Sequence, residues 1–105
     1  FQVSLANNET AAAFRTLLPM TITMNELNGN EKYYNLSSEL PTDVYRPGTI
    51  RAGDLLLYGS NCVVLFYETF SSPYSYTRIG RVDDPTGLAE AVGSGRGSVT
   101  FSLQE

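Results

Sequence analysis

The sequence has no histidine, no tryptophan and a single cysteine. Without an imidazole to deprotonate it, Cys62 cannot work as the nucleophile of a cysteine–histidine pair. A lone cysteine also cannot form an internal disulfide, so the redox compartment stays open; set in CVVLFY, it reads as a small buried apolar residue. Carboxylates are then the only charged metal ligands left, and none cluster at ligating spacing, so neither a metal nor a cofactor is expected. No apolar run approaches the roughly 20 residues that cross a bilayer, so no membrane span is expected. The seven basic residues (Arg15, Lys32, Arg46, Arg51, Arg78, Arg81 and Arg96) are scattered along a chain of net charge −4. Binding a phosphate backbone needs a concentrated positive face, which argues against nucleic acid as a partner.

What is present is ordinary globular material. At 42% hydrophobic and 17% charged residues, the 105-residue chain is one domain, residues 1–105, with a single core. It opens on Phe1 and enters a strand pattern at once. Either a signal segment has been removed or the chain is cut from a longer one, which leaves cytoplasmic and exported placement both open.

Phe1, Val3 and Leu5 alternate with polar residues as in a half-buried strand. Asn7 and Asn8 offer an N-cap to a short helix over residues 10–18 that ends at Pro19 and carries Phe14, Leu17 and Leu18 on one face. Met20, Ile22 and Met24 alternate in a second strand, and after the turn Asn28-Gly29-Asn30 residues 31–36 form a third. Loop punctuation follows at Leu40-Pro41 and Arg46-Pro47-Gly48. Leu55–Tyr58 and Cys62–Glu68 are continuous apolar runs joined by a tight Gly59-Ser60-Asn61 connection. Continuous rather than alternating runs predict strands buried on both sides, as in a barrel wall covered by a helix. Residues 70–75 read as loop and Tyr76–Val82 as a strand. Asp84-Pro85 predicts a helix start, Gly93 its end, and Val99, Phe101 and Leu103 a last strand. About seven strands and two short helices predict a mainly β fold: a closed β-barrel with the helices capping its ends.

Several separated pieces then look familiar. Arg78-Ile79-Gly80-Arg81-Val82 followed by Gly87-Leu88-Ala89-Glu90-Ala91-Val92 resembles the second half of a cyclophilin, and Thr10-Ala11-Ala12-Ala13-Phe14-Arg15 its first helix. Leu17-Leu18-Pro19, Asn30-Glu31-Lys32-Tyr33, Gly53-Asp54, Leu65-Phe66-Tyr67 and Tyr74-Ser75-Tyr76-Thr77-Arg78 are closer still to a bacterial family of small cyclophilin-like domains. That resemblance implies a cyclophilin-like barrel with a further strand before Phe1. It also implies an active site that is largely missing. Active cyclophilins carry a phenylalanine-histidine-arginine strand that has no counterpart here. By offset from Gly80, Tyr76 falls at the family's groove histidine, and Phe66 or Tyr67 near its groove phenylalanine.

Proline isomerisation needs an apolar pocket and a cationic donor near the imide nitrogen, to weaken a bond whose rotation barrier is about 18–20 kcal/mol. Arg78 and Arg51 are the candidate donors, although a solvated surface role suits each better. The candidate ligand-binding residues are Phe66, Tyr67, Phe70, Tyr74 and Tyr76, five aromatics in eleven residues with Pro73 among them. Phe66 reads first as core. For Tyr74 and Tyr76 a groove and a mere cover over the barrel mouth are equally good readings, and in a groove role Tyr76→Ala would leave stability nearly unchanged. The expected function is a non-catalytic binding module for a peptide or small molecule. The alternatives are a divergent peptidyl-prolyl isomerase and a structural domain of a larger polypeptide. Oligomeric state is not legible in the sequence.

Overall fold

A computed structural model describes residues 1–104. In chain order the elements are β1 (Val3–Leu5), α1 (Glu9–Arg15), β2 (Met20–Leu27), β3 (Glu31–Asn35), β4 (Thr49–Ile50), β5 (Asp54–Tyr58), β6 (Cys62–Phe66), β7 (Phe70–Ser71), β8 (Thr77–Val82), α2 (Leu88–Val92) and β9 (Gly97–Phe101). Seven strands form one antiparallel sheet in the order β1-β8-β5-β6-β3-β2-β9, and β4 pairs with β7 in a separate ribbon. None of the helices is long and apolar enough to cross a membrane.

The expected closed barrel is corrected to a curled half-barrel. Its end strands, β1 and β9, are not paired with each other. Closure needs every strand to find two neighbours. The three-residue β1 spends one edge on β8, through Val3↔Val82, Ser4↔Arg81 and Leu5↔Gly80, and has no partner on the other. Gly80 permits that one pairing: a Cβ there would sit 2.6 Å from the Ser4 carbonyl oxygen.

The central runs are buried on both faces, as their composition predicts. Leu55, Leu57, Val63, Leu65 and Ile79 fill the inner face together with Phe14 from α1, Leu88 from α2 and Phe101 from β9. Phe14 meets Phe101 edge to face, 5.5 Å between ring centroids. Leu56, Val64, Phe66 and Tyr76 form a second cluster with Ile50 on the outer face. Its cover is not a helix, as the continuous runs suggested, but the β4–β7 ribbon, in which Ile50 is completely buried and pairs with Phe70.

Both helices are shorter than their sequence signals. The Asn8 side chain accepts from the Ala11 amide at 2.7 Å and starts α1. The helix ends at Arg15, because residues 16–18 tighten into turns whose amides bond three residues back. At the second helix the Asp84 carboxylate accepts from the Thr86 amide at 3.1 Å, a turn and not a cap. Gly87, at φ +80°, then breaks continuity, so α2 begins only at Leu88. The last strand stops at Phe101, leaving Leu103 exposed beyond it.

Candidate functional site

Pairing of β2, β3, β6 and β5 decides which side chains share the outer face. Opposite one another stand Leu27 and Glu31, Tyr33 and Val64, and Tyr58 and Cys62. With the ribbon's Phe70 and Ser71 and the following segment Ser72-Pro73-Tyr74 and Tyr76, these residues enclose a cleft of about 450 Å³. Five aromatic rings line it, those of Tyr33, Tyr58, Phe70, Tyr74 and Tyr76, and no lysine or arginine does.

The rings brace one another. Tyr58 stands edge-on to Tyr74 at 6.2 Å and tilted to Tyr76 at 5.7 Å. Behind them Phe66, fully buried, meets Tyr76 edge-on and Phe70 at a tilt, each at 5.7 Å. Aromatic pairs at these separations are attractive beyond the area they bury, which holds the rings in defined orientations. Tyr76 is only 5% exposed and belongs to the core cluster as well as the lining, whereas Tyr74 is 57% exposed at the mouth.

Besides the tyrosine hydroxyls, Ser71 and Ser72, the polar lining comes from one turn and the strand that follows it. Asn28 and Asn30 come from the β2–β3 turn, and Glu31 from the start of β3. The Asn30 Oδ1 is buried with no hydrogen-bond donor from the protein. Burial, and then the nearby Glu26 charge, raise the Glu31 carboxyl above its usual range. Burial and then the Glu31 charge likewise push the Cys62 thiol up, which keeps it in its protonated, unreactive form at neutral pH.

Of the sequence candidates, Phe70, Tyr74 and Tyr76 line the cleft, and Phe66 packs beneath it. Tyr67 lies on the other side of the sheet. Successive strand residues alternate faces, so if Phe66 points outward, Tyr67 points inward. There the Tyr67 hydroxyl donates to Glu26 Oε1 at 2.7 Å. The same oxygen pairs with Lys32 Nζ at 2.8 Å, and Lys32, 1% exposed, also donates to the Gly95 carbonyl and lies 5.6 Å from the Tyr67 ring centroid. Tyr33, Tyr58 and Cys62 are lining residues that the sequence candidates omit. Cys62 shares the period-two parity of Val64 and Phe66 and was open to that reading, whereas Tyr33 and Tyr58 join only through the register pairs Tyr33↔Val64 and Tyr58↔Cys62.

Arg51 and Arg78 do not enter the aromatic cleft. They line a separate polar cleft with Arg81, Asp54, Tyr45 and Ser4. Among the described residues no group of histidine, cysteine, aspartate or glutamate side chains is placed to hold a metal ion.

The order of elements, with a helix between the first two strands, a long antiparallel sheet and a second helix before the last strand, is accompanied by a family-level match. The family model described as "Cyclophilin-like family" aligns with residues 1–104. This chain belongs to the cyclophilin-like family. No match was found among curated proteins or among solved structures. The membership accounts for the motifs around Gly80 and α2, and within this cyclophilin-like scaffold the aromatic cleft occupies the outer face of β3, β5 and β6.

Proposed function

We propose that this cyclophilin-like protein is a non-catalytic binding module that takes an amide-bearing ligand, a peptide or a small molecule, into the aromatic cleft. The observation that carries the reading is the composition of that cleft: five aromatic rings, Pro73 and the buried side-chain Oδ1 of Asn30 without a donor, with no cation among them. The rings supply stacking area for a flat or proline-like group. The orphaned Oδ1 is covered as the side chain stands, and a rotation of Asn30 toward the cleft would present it to a ligand N–H; a buried acceptor left unmatched is costly, which favours that exchange. Electrophilic assistance to isomerisation would need a positive donor beside the imide nitrogen. Arg51 and Arg78 stand in a different cleft, which is why binding is preferred over turnover.

The test is a pair of measurements on the intact chain. Tyrosine fluorescence titrated with a proline-containing peptide is expected to show saturable binding that Tyr74→Ala weakens. A coupled isomerisation assay on the same peptide is expected to stay at the uncatalysed rate; a rate clearly above it overturns the non-catalytic reading.

A further inference from the structure

Three of the seven basic residues meet in one place, Arg51 joining Arg78 and Arg81 from a distant part of the sequence. Arg51 follows β4, Arg78 and Arg81 lie on β8, and together they line a polar cleft of about 520 Å³ with Ser4, Tyr45 and Asp54. Residues three apart on a regular strand point to opposite faces, so Arg78 and Arg81 should not share a cleft. A bulge brings them together. Asp54 opposes Arg81, Leu55 opposes Gly80, and then Leu56 opposes Arg78, with Ile79 as the unpaired extra residue. Asp54 and Leu56 lie on one face of β5, and so their two arginine partners do too, while Ile79 turns into the core. Re-aiming side chains in this way is what bulges characteristically do.

Among the lining residues Asp54 is the one carboxylate, and it is engaged in the local turn; a second, Asp83, adjoins the cleft by accepting from the Ser4 hydroxyl. Asp54 Oδ2 accepts from the Arg51 backbone amide at 2.9 Å. Among the described residues the one ion pair within 4.0 Å is Lys32–Glu26, on the other side of the sheet, so none of the three arginines is paired with an acid. Arg78 is held in place instead by Tyr45: its Nη2 donates to the Tyr45 hydroxyl at 3.2 Å, and its guanidinium carbon lies 4.9 Å from the ring centroid. A guanidinium stacked on an aromatic face keeps its remaining N–H groups free for an oxyanion. A concentration of unpaired positive charge on a chain of net charge −4 is unfavourable to leave empty and favourable to fill with an anion.

We propose that this cleft binds a phosphomonoester. Planar guanidinium forks match both carboxylate and phosphate oxygens, but three of them offer more charged donors than one carboxylate can accept, which favours a dianion with three terminal oxygens over a monoanion. The site shares no lining residue with the aromatic cleft, so the proposal stands independently of the ligand assigned there.

The experiment is a titration of the ¹⁵N-labelled chain by two-dimensional NMR at constant ionic strength, with phenyl phosphate, ribose 5-phosphate and benzoate as probes. Saturable shifts of the Arg78, Gly80 and Arg81 signals are expected with a phosphate ester, and whichever ester binds tighter shows whether the phosphate arrives on an aromatic or on a sugar. Benzoate is expected to bind about tenfold more weakly, as befits the loss of one charged hydrogen-bond set. Arg51→Gln and Arg78→Gln are each expected to weaken phosphate by about tenfold for the same reason. Both side chains are exposed, so the variant spectra should stay dispersed and show the fold intact. Shifts that never saturate, equal affinity for benzoate, or undiminished binding in the two variants would each overturn the proposal. Tyr74→Ala is expected to leave phosphate binding unchanged, which separates this site from the aromatic cleft.

Discussion

Neutralising Glu26 should cost more stability than removing Lys32, although the two form one ion pair. The reason is their unequal burial. The Lys32 side chain is 1% exposed and that of Glu26 is 22% exposed. With Glu26→Gln the ammonium stays buried without a counter-charge, left with neutral acceptors (the amide oxygen and the Gly95 carbonyl) and the Tyr67 ring. An uncompensated buried charge of this kind costs about 3 kcal/mol or more. With Lys32→Met the space is refilled by an apolar chain of similar length. The Glu26 carboxylate keeps bonds from the Tyr67 hydroxyl and the Gly29 amide, at 2.7 and 2.8 Å, as well as contact with solvent. That loss should be about 1 kcal/mol, the net worth of an ordinary hydrogen bond. Combining the two substitutions should recover most of the Glu26→Gln deficit, since a buried pair replaced by neutral residues of similar volume is often close to neutral. Urea unfolding followed by far-UV circular dichroism measures all three. In a domain of this size 3 kcal/mol corresponds to roughly 12–24 °C in midpoint temperature, so thermal melts give the same ranking. A Lys32→Met protein less stable than Glu26→Gln would refute the reasoning. The acid limb supplies an internal check. Burial acts to raise the Glu26 carboxyl, but the bonds from Lys32, Tyr67 and Gly29 and the Lys32 charge together hold it below its ordinary value. A depressed folded-state value contributes stability above the unfolded value and loses it as pH falls through the folded one, so the acid-side slope should be shallower in Lys32→Met.

Tyr76→Ala and Tyr74→Ala should separate core from mouth: the first is expected to destabilise by about 3–5 kcal/mol, the second to change unfolding by less than about 0.5 kcal/mol while weakening ligand. Gly80→Ala should destabilise by about 1–3 kcal/mol because its Cβ would press on the Ser4 carbonyl; loss of amide-exchange protection should be confined to β1 and β8, and a change spread over the whole sheet would contradict this. Burial first, and then the bond to Glu26, push the Tyr67 hydroxyl up to about 12 from an ordinary value near 10. A raised folded-state value contributes stability that is complete below the unfolded value and lost as pH rises through the folded one. Burial also raises the Tyr76 hydroxyl, so ultraviolet titration should find more than one tyrosine ionising late, and Tyr67→Phe should remove its own share of that late step and of the stability lost between about pH 10 and 12.

Much of this protein was legible from residue order. The continuous apolar runs Leu55–Tyr58 and Cys62–Glu68 announce strands buried on both faces because they lack the polar alternation of a half-solvated strand; Leu55–Leu57 and Val63–Phe66 are buried as read, whereas Tyr58 is exposed at the cleft. The motifs around Gly80 and α2 pointed to the family that the match over residues 1–104 then showed. Local signals misled where a distant or neighbouring residue decides. Asp84 has everything a helix cap needs, yet Gly87 takes the left-handed conformation that delays α2 to Leu88. What tertiary structure alone decided is pairing and parity. Adjacent aromatics Phe66 and Tyr67 part company because a strand alternates its faces, one going under the cleft and the other to the buried lysine. Tyr33 and Tyr58 join the cleft because β3 and β5 flank β6 in register. The barrel stays open because a three-residue β1 pairs on one edge only. Arginines that look scattered along the sequence converge because β5 pairs with β8 and one unpaired residue, Ile79, shifts the alternation between Arg78 and Arg81. A sequence displays its own periodicity, but which residues face one another across a sheet is a property of register, and register exists only once the strands have met.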